Sequence, residues 1–165
     1  MTGNNLSHNF SNTEIPEPPG FLYVDHIAIA VCNGELENHV KMYKQIGFKE
    51  LHREEIEGTD QVREVLLKIG NSPNLIQLLE PLSSDSPVQK QIDRNKGRGG
   101  LVHVGLRVKN AQEAFDFLKA EGFHIIDKAP RPGSRGTTVF FLHPKSHDDT
   151  PFGVLYEVVE DTNNS

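Results

Sequence analysis

Cysteine and long apolar runs are scarce in this sequence. Its 165 residues include a single cysteine, Cys32, which excludes an intrachain disulfide and favours a reducing, cytoplasmic compartment. No apolar stretch approaches the ~20 residues that a membrane-spanning helix needs. The N-terminal segment lacks the basic and apolar regions of a secretory signal. We therefore expect a soluble, cytoplasmic protein that makes no membrane contact.

Basic side chains are also in deficit. The chain carries 17 Lys and Arg residues against 23 Asp and Glu residues, a formal net charge of −6. A nucleic-acid or membrane-surface partner requires a basic footprint, so this balance argues against both classes. An anionic ligand would need a local group of basic side chains.

The middle of the chain contains one pattern twice, between predicted flexible tails at residues 1–20 and 161–165. Each copy opens with an alternating apolar strand, at 22–31 and 101–108, followed by an amphipathic helix that ends at Gly47 or Gly122. Three more strands follow in each copy, at about 48–54, 62–69 and 74–80, and at about 123–127, 137–142 and 153–159.

This repeat predicts an α+β fold in a single domain. The two βαβββ modules cover about 21–82 and 100–160, and a linker at 83–99 contains a short helix from about Pro87. Placed edge to edge, the modules form a curved eight-stranded mixed sheet around a cleft. The alternative, two unrelated α+β halves, does not explain the matched register of the copies.

Four polar residues interrupt apolar strands at matching positions of the two copies. His26 lies in VDHIAIAV and His103 in LVHVGLRV, while Gln77 lies in LIQLLE and Glu157 in LYEVVE. A buried polar group costs several kcal/mol without a partner. A lone strand histidine is more often a hydrogen-bonded structural residue than a ligand. Four aligned donors on one concave face instead favour a shared divalent metal ion, and without thiolates a closed structural zinc site is disfavoured.

Glu64 is a carboxylate in the strand VREVLLKIG that has no polar counterpart in the second copy. When Leu67 is matched with Leu142, the equivalent residue is Val139. Two interpretations remain open on the pattern alone. Glu64 is either a solvated strand-edge glutamate or a general base that faces Glu157 across the cleft.

These segments resemble the vicinal oxygen chelate superfamily and, within it, the methylmalonyl-CoA epimerase family. The resemblance covers about Tyr23 to Glu160. DHIAIAV and HVGLRV are typical of the superfamily, whereas LLEPL, RPGSRG and HPKS are specific to the epimerases. Three departures are visible: Val102 stands where many epimerases have a histidine, EIEGTDQ precedes Glu64 in place of a shorter turn, and SHDDTPF is inserted before the last strand.

The resemblance implies a glyoxalase-like fold and interconversion of (2R)- and (2S)-methylmalonyl-CoA by proton transfer at C2, in a homodimer with one divalent ion per chain. The expected ion is Co²⁺, with Mn²⁺, Ni²⁺, Mg²⁺ and Zn²⁺ as alternatives. The family's metal ligands match His26, Gln77, His103 and Glu157, and its two acid/base residues match Glu64 and Glu157.

The acyl-CoA partner requires cationic or polar contacts, for which the sequence offers several candidates. We expect substrate-binding residues among Arg98, Arg131, Arg135, Lys145 and Ser146. Two rival functions remain. A glyoxalase I-like isomerase would apply similar proton transfer to a thiol hemithioacetal, and a sequestration protein of the same fold would bind a small molecule without catalysis. An extradiol oxygenase is disfavoured, because its metal triad has no place for Gln77.

Overall fold

The computed structural model describes residues 20–145 and 150–161, with the side chain of Asp161 excepted. The predicted tails therefore lie almost wholly outside the described residues. The first repeat comprises β1 (Phe21–Ala30), α1 (Leu36–Gln45), β2 (Phe48–Ile56), β3 (Val62–Ile69) and β4 (Leu75–Pro81). After α2 (Pro87–Arg94), the second comprises β5 (Gly100–Val108), α3 (Ala111–Ala120), β6 (Arg131–Pro132), β7 (Thr137–Leu142) and β8 (Leu155–Asp161).

All eight strands form one mixed sheet in the order β2-β3-β4-β1-β5-β8-β7-β6. Each first strand runs parallel to the last strand of its own repeat, β1 to β4 and β5 to β8. The two repeats meet where β1 and β5 pair antiparallel. The predicted α+β fold, a curved eight-stranded mixed sheet of two βαβββ units, is confirmed.

A glutamate at the end of each repeat holds the helix of the same repeat in place. Glu80 accepts hydrogen bonds from the backbone N–H groups of Gly34 (2.7 Å) and Leu36 (3.2 Å) at the start of α1. Glu160 accepts one from Ala111 N (2.7 Å) at the start of α3. Both carboxylates satisfy N–H groups that have no partner inside a helix, at its positive end. The scaffold is thus fixed in the same way twice.

In the middle of β1 the concave side is more buried than the aliphatic outer side. His26 and Ala28 on β1 are 1% and 0% exposed, whereas Ile27 between them is 38% exposed. On the concave side α2 packs Val88 and Ile92 against Ala28. On the outer side α1 contacts mainly β2 and β4, and α3 contacts mainly β7 and β8, so the middle of β1 is less covered there. None of the described helices is long and apolar enough to cross a membrane.

The prediction of a strand at about 123–127 is wrong. This segment makes only an isolated bridge from Ile125 to Leu142, and the edge strand of the second repeat is the two-residue β6. The side chain of Asp127 explains the difference, because its Oδ2 accepts the hydrogen bond of Phe141 N (2.7 Å) that a backbone carbonyl would take in a regular ladder.

Candidate metal centre and active site

Three predicted ligands meet at the junction of the repeats. The Nε2 atoms of His26 and His103 are 2.9 Å apart, and Glu157 Oε2 lies 3.2 Å from the first and 3.6 Å from the second. The three atoms form a triangle in a buried position. Strands 77 residues apart in sequence thus deliver equivalent side chains to one point, as the repeat predicts.

The pairing of β1 with β5 makes room for the two rings. His26 stands opposite Gly105, and Ala28 stands opposite His103. A Cβ atom at Gly105 would lie 2.3 Å from Cε1 of His26, which is closer than two carbon atoms approach without bonding. Glycine at this position is therefore required by the histidine beside it, and any larger residue would displace the His26 ring.

Gln77 brings a fourth donor to the same cleft. Its Nε2 donates a hydrogen bond to Glu64 Oε2 at 2.7 Å. The other end of the amide, Oε1, is buried and has no hydrogen-bond partner among the described residues. An unsatisfied buried oxygen costs roughly 1–3 kcal/mol, so this atom requires a partner that the described residues do not supply.

Behind His26 lies a buried carboxylate that sequence analysis missed. Asp25 Oδ2 is 2.8 Å from His26 Nδ1, and Asp25 Oδ1 accepts hydrogen bonds from Arg107 Nε (2.9 Å) and Nη2 (2.5 Å). A carboxylate on the second ring nitrogen fixes the ring and directs Nε2 at a metal. The signal was present in the sequence as an acidic residue directly before the first histidine.

The electrostatics of the two histidines are opposite. Burial lowers the pKa of His26, but hydrogen bonds to Asp25 and Glu157 outweigh it and raise the pKa to about 9. Burial lowers the pKa of His103 to about 4, and the attraction of Glu157 does not restore it. The Nε2 contact therefore pairs a protonated donor on His26 with a neutral acceptor on His103. Burial raises the pKa of Glu157, but its hydrogen bond to His26 and the charges of both histidines bring the net shift downward.

These residues fit a divalent ion. Metal bonds of about 2.1 Å that subtend 90–110° hold ligand atoms roughly 3.0–3.4 Å apart, which is close to the 2.9, 3.2 and 3.6 Å edges of the triangle. The unpartnered Oε1 of Gln77 adds an oxygen donor. Two imidazoles, an amide and one carboxylate form the mixed nitrogen and oxygen set expected of a catalytic centre with open positions.

Glu64 is fully enclosed, not a solvated strand-edge residue. It is 1% exposed, and its Oε1 has no hydrogen-bond partner among the described residues. Burial is the main reason that its pKa is raised; nearby Glu54 and Glu157 act in the same direction, while the charge of Arg135 and the Gln77 hydrogen bond oppose it. Such a carboxylate is suited to accept a proton from a bound molecule near neutral pH.

A cleft of about 630 Å³, partly open to solvent, joins these groups. Glu64, Gln77, His103 and Glu157 line its polar part, and apolar side chains line the rest, among them Ile56, Val62, Leu79, Val88, Val102 and Phe141. The cleft therefore offers proton-transfer and ligand groups at one side and an apolar wall at the other.

The predicted substrate-binding residues lie in different places: some are in or near the cleft, and others are on the exposed surface. Arg131 lines the cleft, where it pairs with Asp127 (3.0 Å) and stacks over the Phe141 ring. Arg135 lies beside Glu64 with its backbone N–H on Glu54 Oε1 (3.2 Å). Arg98 and Lys145 are exposed. Ser146 lies outside the described residues.

Comparison with known proteins gives consistent relatives. The sequence profile of the Glyoxalase/Bleomycin resistance protein/Dioxygenase superfamily matches residues 25–141. The mitochondrial methylmalonyl-CoA epimerase of Dictyostelium discoideum is 33% identical over 137 residues, which are 83% of this chain and 77% of the relative. An ethylmalonyl-CoA/methylmalonyl-CoA epimerase of Cereibacter sphaeroides is 31% identical over 123 residues, 74% of this chain and 88% of the relative.

Solved structures agree with these sequence relatives. A methylmalonyl-CoA epimerase in complex with methylmalonyl-CoA and NH4+ superimposes with a TM-score of 0.75. The two chains are 33% identical, and the superposition covers 86% of this chain and 96% of the other. The likeness thus extends over both repeats and the cleft between them.

Proposed function

Because the chain belongs to the Glyoxalase/Bleomycin resistance protein/Dioxygenase superfamily, we propose that its cleft performs the reaction for which its relatives are named. This reaction interconverts the (2R) and (2S) forms of methylmalonyl-CoA by removing and returning the proton at C2. The observation that carries this function is the enclosed Glu64, which lines a cleft together with Glu157 and whose Oε1 has no hydrogen-bond partner among the described residues.

Inversion at C2 requires an acid or base on each face of that carbon. Glu64 lies on β3 and Glu157 on β8, and both line the cleft. Burial keeps the pKa of Glu64 raised, so this carboxyl holds a proton more readily than an exposed one. We assign Glu64 to the proton on one face and Glu157 to the proton on the other, which makes the pair interchange roles between the two directions of the reaction.

His26, Gln77, His103 and Glu157 are the proposed holders of one divalent ion per chain, with Co²⁺ as the first choice. When bound, the ion would act as a Lewis acid for charge that develops on the thioester and carboxylate oxygens of the substrate. Asp25 supports this site by holding the His26 ring at 2.8 Å, and Gln77 links it to the base by donating to Glu64.

The apolar wall and a neighbouring groove suit the acyl-CoA. The groove shares Val102 and Leu155 with the cleft and is lined by Arg94 and Pro144, which places exposed Arg98 and Lys145 a few residues along the chain from its walls. We propose these two cations for the CoA phosphates, because Arg131 is paired with Asp127 and the charge of Arg135 acts on Glu64. Arg98→Gln should then raise KM and leave kcat unchanged.

The proposed function is tested by deuterium incorporation at C2 of racemic methylmalonyl-CoA, with and without a chelator. We expect exchange and epimerisation that stop when the ion is removed and return on addition of Co²⁺. A protein that turns over a glutathione hemithioacetal and leaves methylmalonyl-CoA unchanged would instead be a glyoxalase-type isomerase. Binding of the CoA ester without any C2 exchange would indicate sequestration.

The pairing of β1 with β5 also leaves an exposed apolar surface, which we propose as a homodimer interface. Along the β1–β5 junction the outer face of the sheet exposes Val24, Ile27 and Leu101, at 40%, 38% and 46%, because α1 and α3 contact mainly the flanking strands. An apolar stripe at the internal pseudo-twofold is suited to self-association. Ile27→Lys should convert a sedimenting dimer into a monomer with its metal retained, since every proposed ligand comes from one chain.

Two further proposals concern the organisation and setting of the chain. We propose the module limits 21–82 and 100–160 with the linker 83–99, to be tested by limited proteolysis, which should cut first near the glycine-rich end of the linker. We also propose a cytoplasmic location, in keeping with the single cysteine, to be tested by cell fractionation.

A further inference from the structure

A second group of ligand-type side chains lies beside Glu64. His52 and Glu54 on β2 and Glu64 on β3 each offer one nitrogen or oxygen atom, and these atoms lie within 4.8 Å of one another. None of the three belongs to the proposed four-ligand centre. The proposed reaction employs Glu64 but has no part for His52 or Glu54.

The register of β2 with β3 makes this group of side chains unfavourable for the stability of the fold. Glu54 and Glu64 are directly opposite in the antiparallel β2–β3 pair, where like charges destabilise a sheet. Glu64 is also buried, which disfavours its charge further. A positive charge between the two carboxylates would remove the repulsion and the desolvation cost together.

Two atoms of the group are buried without hydrogen-bond partners among the described residues: Glu64 Oε1 and His52 Nε2. The His52 nitrogen lies 3.5 Å from Glu54 Oε1, which is an ion-pair contact without hydrogen-bond geometry. A buried donor or acceptor of this kind normally has a protein, water or ion partner. Three residues with ligand atoms within 4.8 Å of one another, two of which also have an unsatisfied buried atom, have the composition of a small cation site.

Arg135 sets the expected strength of such a site. Its backbone N–H already donates to Glu54 Oε1 at 3.2 Å, and its charge acts on Glu64. A dication must compete with this neighbouring positive charge, so it should bind more weakly here than at the four-ligand centre. One imidazole and two carboxylates are a ligand set that suits Zn²⁺.

We propose that His52, Glu54 and Glu64 form a second, weaker divalent-cation site that prefers Zn²⁺, and that an ion bound there inhibits the enzyme by occupying the Glu64 carboxylate. The inhibitory part rests on the proposed function, in which Glu64 handles the C2 proton. The binding part stands on the geometry alone.

Zinc binding is measured first, on full-length protein loaded with Co²⁺, by equilibrium dialysis with metal analysis of both ions. The wild type should take up one zinc per chain in addition to its cobalt, and His52→Gln should not. His39→Gln, which alters a partly exposed histidine on α1, is the matched control and should bind zinc as the wild type does. Arg135→Gln should bind the second ion more tightly, because it removes the competing charge.

The opposite results would overturn the site. No additional zinc in the wild type, equal uptake by His52→Gln, or exchange of cobalt for zinc without a second ion would each do so. A zinc affinity unaffected by Arg135→Gln would contradict the placement of the ion beside that charge.

The inhibitory part is measured as the ratio of epimerisation rates with and without saturating zinc, so that changes in basal rate cancel. The wild-type rate should fall by about 10²-fold or more, the contribution of a positioned proton-transfer group, and the rate of His52→Gln should change little. Equal inhibition of both proteins would overturn this part. If the protein has no epimerase activity, the proposed function and the inhibition fail together, while the zinc stoichiometries still decide the site.

Discussion

The first strand of each repeat carries a histidine at the same place, but only His26 has a carboxylate behind it. Asp25 precedes His26, whereas Val102 precedes His103. One ring consequently has its pKa raised to about 9 and the other has it lowered to about 4. Equivalent positions in a duplicated fold thus differ in the pKa of their imidazoles, because Asp25 and Glu157 both hydrogen-bond to His26, whereas burial dominates at His103.

The third strands differ in the same instructive way. Leu66 pairs with Gln77, and Phe141 pairs with Glu157, so the residues two positions earlier, Glu64 and Val139, are structurally equivalent. The duplicated parts, including the helix-holding Glu80 and Glu160, build the scaffold and present the ligands. In the proposed function the asymmetric parts supply the acid–base chemistry, and that division can be tested residue by residue.

The largest effect is expected where the repeats cooperate. His103→Ala removes one corner of the triangle, and since changes behind a ligand already cost about 10–100-fold in metal affinity, loss of the ligand itself should cost more. Metal analysis after dialysis should show an empty centre and the epimerase assay no turnover. His39→Ala is the control. Stoichiometric metal with normal turnover in His103→Ala would refute the ligand assignment.

The next largest effect is expected from Glu64, the proposed base in the first repeat. Glu64→Gln should retain its metal but lower kcat by about 10²–10⁴-fold, the range of a positioned proton-transfer group. Since the other face of C2 remains served, the variant should still exchange the proton of one epimer with solvent without inverting it.

Glu55→Gln is the matched control, because Glu55 is an exposed neighbour on β2 that pairs with Arg63. Full epimerase activity in Glu64→Gln would exclude Glu64 as a base. Loss of metal in that variant would move Glu64 into the coordination shell.

A smaller effect should come from the asymmetry behind the histidines. Asp25→Asn weakens the support of His26 and leaves all four proposed ligands in place, so metal affinity should fall by about 10–100-fold. Competition with a fluorescent chelator measures the change, with the exposed Asp85→Asn as control. Unchanged affinity would mean that Asp25 serves only its ion pair with Arg107.

The features that the sequence predicted are mainly those that the two repeats share, and the features that it missed are those that occur in one repeat. Features that repeat, such as the first strands, the helices and the aligned ligands, were visible because each copy supported the other. The group around Glu64 was not, since His52 and Glu54 reach it only through the β2–β3 register, which shifts at a bulge between Glu50 and His52. Arg107 likewise meets Asp25 across 82 residues, a contact that no local pattern encodes.

The smallest effect is a pH dependence of the metal-free protein that arises from the same two rings. The raised pKa of His26 stabilises the fold fully below its unfolded value of 6.5, and this contribution is lost as the pH rises towards about 9. The lowered pKa of His103 acts in reverse: its contribution is complete above 6.5 and is lost as the pH falls towards about 4. Their joint contribution is therefore greatest near pH 6.5.

NMR of the ring resonances in the presence of a chelator should show two separate titrations. The free energies of urea unfolding of wild type and Asp25→Asn should differ less as the pH rises above 6.5. A single shared titration near 6.5 would mean that the two rings are equivalent after all, and that Asp25 does not distinguish them.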